Sequence, residues 1–504
     1  MKLSIHFEKK PGHADPIYGL MYAGLIAVST LRGYFKLVDL PWFVTQFAYI
    51  AVLGLGFVWV FLKGETSRLN QSLNIMMFQM IPNLIILVWS VGIWVYQQKP
   101  LSLIMRGSSL IMYQLLLLLM LISAGTMFGN QCIEYTAMGF ILANTLILLD
   151  VMRRKGPAAT TVGMIQFLMS VGGHDNDISV LLEVQDVTFG IGILLLYYIV
   201  DGKNEHWRWF YIGGLTFYLL LGFKRILFPA VGLGAAYYIL MKKMPRKLQM
   251  TITSGIGLIL IGISLGYVVM IRSGLWFELC DRFGIDLMGR KRLYGYMESY
   301  YTISPGYLGL GNGMVSTVLE VLEKTGNRRL HSDVLRMYIE LGMPVFLLWC
   351  YITFIYTYIH FAKRYNMRSA SIYIASTLLM FVTFLTDNTL EKYCPEIAWH
   401  VLPLGIILEE REKFTSSFKH NILLVSDERR KLWANQKTAN PMSASPTNAG
   451  QAPPQTAGQP LQQIPGQAGQ NPEKSPGGTS SAENVAAKLT QFRKEKWGKS
   501  GKGK

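Results

Sequence analysis

The sequence predicts an all-α polytopic membrane protein, and three observations carry that class. Hydrophobic residues make up 51% of the 504-residue chain and charged residues only 16%, against roughly 25% charged in an ordinary soluble domain. Apolar runs recur along the chain, and at about 20 residues per crossing of a hydrocarbon core they read as about twelve spans. Lys and Arg collect in short clusters between the runs, as they do in cytoplasmic loops.

In chain order the runs are Ile17 to Leu31, Trp42 to Leu62, Ile75 to Tyr96, Leu110 to Ser123, Cys132 to Val151, Phe189 to Val200, Trp209 to Phe223, Ile226 to Met241, Ile252 to Ile271, Leu335 to Phe361, Ile372 to Leu385 and Ile397 to Leu408. The stretch Met1 to Pro16 is basic and polar, and no small-residue cleavage site follows the first run, so Ile17 onward reads as a retained anchor. Lys242, Lys243, Arg246 and Lys247 form one basic cluster, and Lys363, Arg364 and Arg368 another. With twelve spans both fall on the side of the N terminus, as does the basic C terminus. Both termini are therefore expected in the cytoplasm, with the polar segment 272–333, between spans nine and ten, forming a large extracytoplasmic loop. Three basic groups stand against this rule on the outer side: Arg153-Arg154-Lys155, Lys224-Arg225, and the cations of the loop itself.

Two domains are expected, a multi-pass membrane domain over 1–410 and a cytoplasmic tail over 411–504. The tail turns Pro/Gln/Gly/Ser/Ala-rich from Asn440 to Ser480, a composition too poor in apolar side chains to offset its ordering entropy, so it is expected to be disordered. Its end places Val485, Leu489 and Phe492 at helical spacing among Lys488, Arg493, Lys494 and Lys496, a pattern shared by solvated basic tails and by helices that lie on anionic lipid. This tail holds a large share of the net charge of +17, which is therefore no signal of nucleic-acid binding.

Cys132, Cys280, Cys350 and Cys394 lack the spacing of a metal site; Cys280 and Cys394 would both lie outside, where they could pair. The Asp175-Asn176-Asp177 triplet after His174 has a form that holds a metal and a nucleotide sugar in soluble glycosyltransferases, but reads more simply as a loop turn. No phosphate-binding G-x-x-x-x-G-K-[ST] loop is present. No metal or cofactor is expected.

The chemistry is expected in segment 272–333, because irregular backbone at a membrane must sit over one face of the bilayer. Lys224-Arg225 follow a span end. Gly289-Arg290 open a polar stretch through Arg292, Tyr294, Glu298 and Tyr301 to Gly309-Leu310-Gly311, and His331-Ser332 lead into Leu335, Tyr338 and Gly342-Met343-Pro344. At 3.6 residues per turn His331, Leu335, Tyr338 and Gly342 would share one helix face, with the imidazole at its mouth. Glu340, deeper on the same helix, should face protein or a cavity.

The order of these features resembles the O-antigen polymerase and O-antigen ligase family of bacterial envelope glycosyltransferases. The matching pieces are Lys224-Arg225, Gly289-Arg290 with the downstream Gly-Leu-Gly, and His331-Ser332 with nine residues separating Ser332 from Gly342. Four positions depart from the family pattern: Lys224 stands where Ser is usual, Ser332 where Asn is common, Val345 where a small residue or Tyr is usual, and Tyr rather than Trp follows Gly289-Arg290. The resemblance implies an enzyme of the bacterial cytoplasmic membrane whose donor is an oligosaccharide on polyprenyl diphosphate and whose acceptor sugar hydroxyl displaces the lipid diphosphate. Arg225 and Arg290 would then steady the leaving diphosphate and His331 would take the acceptor proton, without metal or cofactor. Lys224, Arg292, Tyr294, Glu298, Tyr301, Glu183 and Asp186 would contact substrate. Membrane lipids and a chain-length regulator are the implied partners. Ligation of the glycan to a lipid or protein is the alternative within the family; a flippase or other transporter is the alternative outside it, disfavoured by charges that gather at one surface rather than at the bilayer midplane.

Overall fold

The computed structural model describes residues 14–31, 34, 44–64, 66–169, 181–182, 185–202, 207–222, 224, 226–285, 287, 289–322 and 329–414. Arg225, Glu183, the triplet Asp175–Asp177 and the expected tail from residue 415 onward lie outside the described residues. All regular structure among those described is helical. In chain order the helices are α1 Pro16–Thr30, α2 Val44–Lys63, α3 Thr66–Gln79, α4 Ile81–Tyr96, α5 Leu101–Phe128, α6 Gln131–Lys155, α7 Pro157–Met169, α8 Gln185–Val200, α9 Arg208–Leu221, α10 Leu227–Lys242, α11 Arg246–Arg272, α12 Leu275–Arg282, α13 Arg290–Met297, α14 Met314–Leu322, α15 from Asp333 to Arg364, α16 Met367–Thr386 and α17 over 393–414.

Four of these, α6, α11, α15 and α16, are long and apolar enough to cross a membrane, and α3 with α4 would make a fifth if that pair, bent by 50°, counts as one span. Five shorter apolar helices accompany them. This is the make-up of a helical, membrane-embedded protein. Close helix approach rests on residues without side chains, as is usual where lipid supplies no hydrophobic drive. A Cβ on Gly139 of α6 would lie 2.8 Å from the Ala23 carbonyl oxygen of α1, and one on Gly234 of α10 would lie 2.7 Å from that of Ala375 in α16.

Three expectations about elements are corrected. The run Ile75 to Tyr96 is not one straight helix, because Pro82 follows the bend at Met80 and can neither donate to the preceding turn nor fit against it. The segment 272–333 is not mainly irregular: it folds as α12, α13 and α14, with left-handed glycines, Gly274 (φ 80°) and Gly289 (φ 79°), opening the first two. His331 does not share a helix face with Leu335 and Gly342. Ser332 caps α15 by accepting from the Leu335 amide at 3.2 Å, which leaves His331 outside the helix at φ 57°.

The α15 helix is also broken at Gly342 (φ 72°, ψ 169°), two residues before Pro344. The proline ring would clash with the carbonyl of Glu340, four residues earlier, and brings no N–H to it. The glycine-rich strap 307–311 repairs the break. Leu310 donates its amide to the Ile339 carbonyl (3.0 Å), Gly311 to that of Glu340 (2.8 Å), and Met343 donates back to the Tyr307 carbonyl (2.9 Å). From α4, the Trp89 indole donates to the Leu341 carbonyl (2.9 Å) and the Trp94 indole to that of Leu310 (3.1 Å). Gly309-Leu310-Gly311 is thus spoken for by the fold.

The helices alternate between two ends of the bundle. One end gathers Arg68 with Glu412 at 3.7 Å, Arg368 with Asp201 at 2.6 Å, and Arg246, which donates to the Ala362 carbonyl at 2.5 Å. The other gathers Lys224, Arg272, His331 and Asp387.

Candidate functional site

The site is built where α15 begins and α16 ends. The last carbonyls of α16 carry on into Asp387-Asn388, and this short connection is tied to α15 from several directions. Asp333 donates its amide to the Asp387 carbonyl (3.1 Å), and its carboxylate accepts from the Leu390 amide (2.8 Å). The His331 amide donates to Oδ1 of Asn388 (3.0 Å), which holds His331 in its left-handed conformation. Strain of that kind in a histidine persists only where surrounding contacts over-determine it.

The outcome is a carboxylate behind an imidazole. Nδ1 of His331 lies 3.9 Å from Oδ1 of Asp387; the histidine side chain is 27% exposed and the aspartate 9%. Nζ of Lys224 lies 3.5 Å from the other carboxylate oxygen. Lys392, itself buried, stands over the Phe189 ring at 5.5 Å and acts on the same carboxylate. Burial alone would raise the Asp387 carboxyl, but the His331 imidazole and the Lys392 and Lys224 ammonium groups together hold it well below the usual carboxylate range. It is an anion throughout the neutral range, and in a low-dielectric setting it favours the tautomer with the proton on Nδ1.

Arg290 enters from α13. Its charge and the Ser332 hydroxyl both act on the buried Tyr294 phenol, which lies one helical turn after Arg290. Burial pushes Tyr294 well up, and its hydroxyl lies 3.4 Å from that of Tyr267. Tyr301 is also buried; the Arg272 guanidinium sits 5.8 Å over its ring while pairing with Glu298. Burial pushes the Tyr301 phenol up to about 12. These two tyrosines present no open face for a sugar. Arg292 lies on the exposed side of α13, and Asp186 in the first turn of α8.

Of the residues expected from sequence, then, His331 and Lys224 meet through Asp387, while Arg290 acts on Tyr294, which the Ser332 hydroxyl also reaches. Asp387, Asn388 and Lys392 were missed. Their one signal was polarity inside a short connection between two apolar runs.

A second polar group lies beneath the first. Arg336, on the first turns of α15, pairs with Asp333 (3.1 Å), Glu340 (3.2 Å) and Glu391 (3.4 Å), and the first three are buried. Glu340 also accepts from the Val315 amide at 3.2 Å. Two cavities of about 30 and 20 Å³ follow, sharing Asn83, Trp349, Leu390 and Glu396 along their walls. The second reaches His400, whose ring nitrogens contact Gln79 (2.7 Å) and Glu396 (3.1 Å). Charge is therefore not confined to one surface, contrary to expectation. All four cysteines are buried as thiols, and Cys280 and Cys394 do not pair. Among the described residues no three His, Cys, Asp or Glu side chains converge as metal ligands.

No protein-family model matches this chain, and no curated protein matches its sequence.

Proposed function

We propose that this protein is a glycosyltransferase of the bacterial cytoplasmic membrane that polymerises polyprenyl-diphosphate-linked oligosaccharide repeat units on the outer face. The single observation that carries the reading is the partly exposed His331 imidazole backed by the buried Asp387 carboxylate, which also pairs with Lys224. Asp387 keeps the Nδ1 proton in place, so Nε2 is the base that takes the acceptor hydroxyl proton as oxygen attacks the anomeric carbon. Arg290 and Arg225, with Lys224, take up the charge that grows on the departing diphosphate.

The topology belongs to the same proposal. Twelve passes, α1, α2, α3 with α4, α5, α6, α8, α9, α10, α11, α15, α16 and α17, put both termini in the cytoplasm and segment 272–333 outside. The alternation of helix ends between a basic end and the His331 end supports that count, since the Lys242–Lys247 and Lys363–Arg368 clusters then obey the positive-inside bias. Incubating purified protein with polyprenyl-diphosphate glycans and resolving products on gels tests the activity. A ladder is the expected result; one added unit makes the enzyme a ligase, and no product removes the glycosyltransferase.

The buried Arg336 group and the His400–Glu396 pair favour a second reading, a transporter, since ionisable groups inside a helical bundle often line ion or substrate paths. Uptake of labelled glycan lipid into vesicles without elongation would select it.

A further inference from the structure

A cavity lies at the other end of the bundle, away from His331. It measures about 580 Å³ and is walled by Lys242, Arg246, Arg368 and Lys413 against Asp201 and Glu410. These come from the end of α10, the starts of α11 and α16, the end of α8 and the last turns of α17. The acids here are largely committed. Asp201 receives Arg368 at 2.6 Å and the Tyr238 hydroxyl at 2.5 Å, while Glu410 lies 3.2 Å from Arg368 and the adjoining Glu409 lies 2.7 Å from it. Arg368 is thereby spent inside the protein and fixes the cavity floor.

Lys242 and Arg246 are engaged differently. Lys242 stands 5.8 Å over the Tyr238 ring, and Arg246 donates one N–H to the Ala362 carbonyl; neither contact neutralises a charge. Both residues are exposed and face the cavity. The N-termini of α11 and α16 open beside them, adding the positive ends of two helix dipoles. The net field in this cavity therefore suits an anion with several acceptor oxygens.

The adjoining surface is apolar. Ile239 and Leu240 on α10 are 50% and 57% exposed, and Leu248 on α11 is 45% exposed. A cation-lined cavity at a helix end, continuous with an apolar flank on two membrane helices, matches a lipid with an anionic head and acyl chains along the bundle. We propose that this cavity binds a phosphate group and that its source is the headgroup of an anionic membrane lipid. Lys242 and Arg246 grip the phosphate oxygens, and the acyl chains lie along the exposed Ile239, three residues before Lys242 on the same helix face. The proposal is independent of the chemistry at His331.

The test is lipid retention by the full-length protein, released from nanodiscs holding equal phosphatidylglycerol and phosphatidylcholine and read by native mass spectrometry. Wild type is expected to prefer phosphatidylglycerol by about tenfold or more, since each membrane-facing cation contributes about fivefold and two act together. The double variant Lys242→Gln/Arg246→Gln should lose the preference, whereas Lys243→Gln/Lys247→Gln, two exposed cations off the cavity wall, should keep it. Lys242→Gln alone, which removes no hydrogen bond to the backbone, should lower the preference several-fold and covers the event that the double variant does not fold. Equal retention by wild type and the cavity variants overturns the site. Displacement of the lipid by excess inorganic phosphate, with full binding of phosphate itself, overturns the lipid source.

Discussion

Gly309 and Gly342 meet backbone to backbone. A Cβ on Gly309 would come within 2.5 Å of the Gly342 nitrogen, and one on Gly342 within 2.6 Å of the Gly309 nitrogen. Both residues also have positive φ, 90° and 72°. The crossing lets the strap replace the helix hydrogen bonds lost ahead of Pro344.

Gly342→Ala should therefore destabilise strongly. The left-handed backbone alone costs on the order of 1 to 3 kcal/mol for a residue with a side chain, and the clash with Leu308 and Tyr307 adds to it. Thermal unfolding in detergent is the measurement. A midpoint within a degree of wild type would show that the crossing can relax and that the packing described is not tight.

His331→Ala should lower product formation by about 10² to 10⁴ while binding of the lipid diphosphate persists, because the donor is held by other side chains. Asp387→Asn should fall in the same range, as it removes the charge that fixes the imidazole proton. Turnover equal to wild type in His331→Ala would remove the histidine from the mechanism.

Asp387 also yields a pH prediction. Its carboxyl is held below its unfolded value, so its contribution to stability is complete above the ordinary aspartate range and lost only as pH falls through the lower folded value. The difference in stability between wild type and Asp387→Asn should accordingly stay constant from about pH 5 to 8 and shrink in stronger acid. A difference that halves between those limits would mean that Asp387 is not anionic across the neutral range.

Arg290→Lys keeps one charge but loses the planar fork, so it should remain strongly impaired in elongation although it inserts and folds. A lysine serves a lipid-headgroup anchor nearly as well as an arginine. Normal elongation by Arg290→Lys and by Arg225→Lys together would end the two-arginine clamp.

Removing Arg336 leaves the buried Asp333 and Glu340 without a cation and Glu391 with only Arg329, at 3.8 Å. Breaking a buried ion group at one partner typically costs about 3 to 5 kcal/mol. Arg336→Leu should reduce folded yield sharply, with partial recovery when Glu340→Gln is added. No recovery in the double variant would place the defect in packing rather than in charge.

Topology can be read with introduced cysteines, since the native thiols are buried. Ser299 lies exposed within the segment 272–333 and suits a probe. In intact cells Ser299→Cys should react with an impermeant maleimide and Lys243→Cys should not. The reverse pattern would turn the catalytic end inward and remove the proposed outer reaction.

The helices were legible in the sequence because burying a run of apolar residues needs no knowledge of its partner. The break at Gly342-Met343-Pro344 goes unread, because the run Leu335 to Phe361 reads as continuous although its proline announces a break locally. Local patterns also brought His331 and Lys224 to notice. Asp387 escaped because its role lies in pairings across tens to hundreds of positions, with His331 and with Lys224. Arg336 and Glu340, four apart in an apolar helix, could have been flagged, since two opposite charges at that spacing must satisfy each other or face a cavity. Gly309-Leu310-Gly311 misled in the other direction: its glycines answer to a helix crossing rather than to a ligand.

The α15 helix carries a second irregularity, a π turn over Ile352–Tyr356, where Thr357 donates its hydroxyl to the Ile352 carbonyl (2.8 Å) and Tyr373 of α16 donates to that of Thr353 (2.9 Å). Mechanically, α15 is three short rods in series, jointed at Gly342 and at the π turn. A push at Arg364 is absorbed at two joints before it reaches Ser332. By contrast α16 runs unbroken through 20 residues, a strut of about 30 Å at 1.5 Å per residue, with Arg368 in its first turn and Asp387 just past its last. One unbroken helix therefore joins Arg368, on the cavity wall, to the carboxylate behind His331. Amide exchange should reveal the difference as unbroken protection through α16 and two fast gaps in α15.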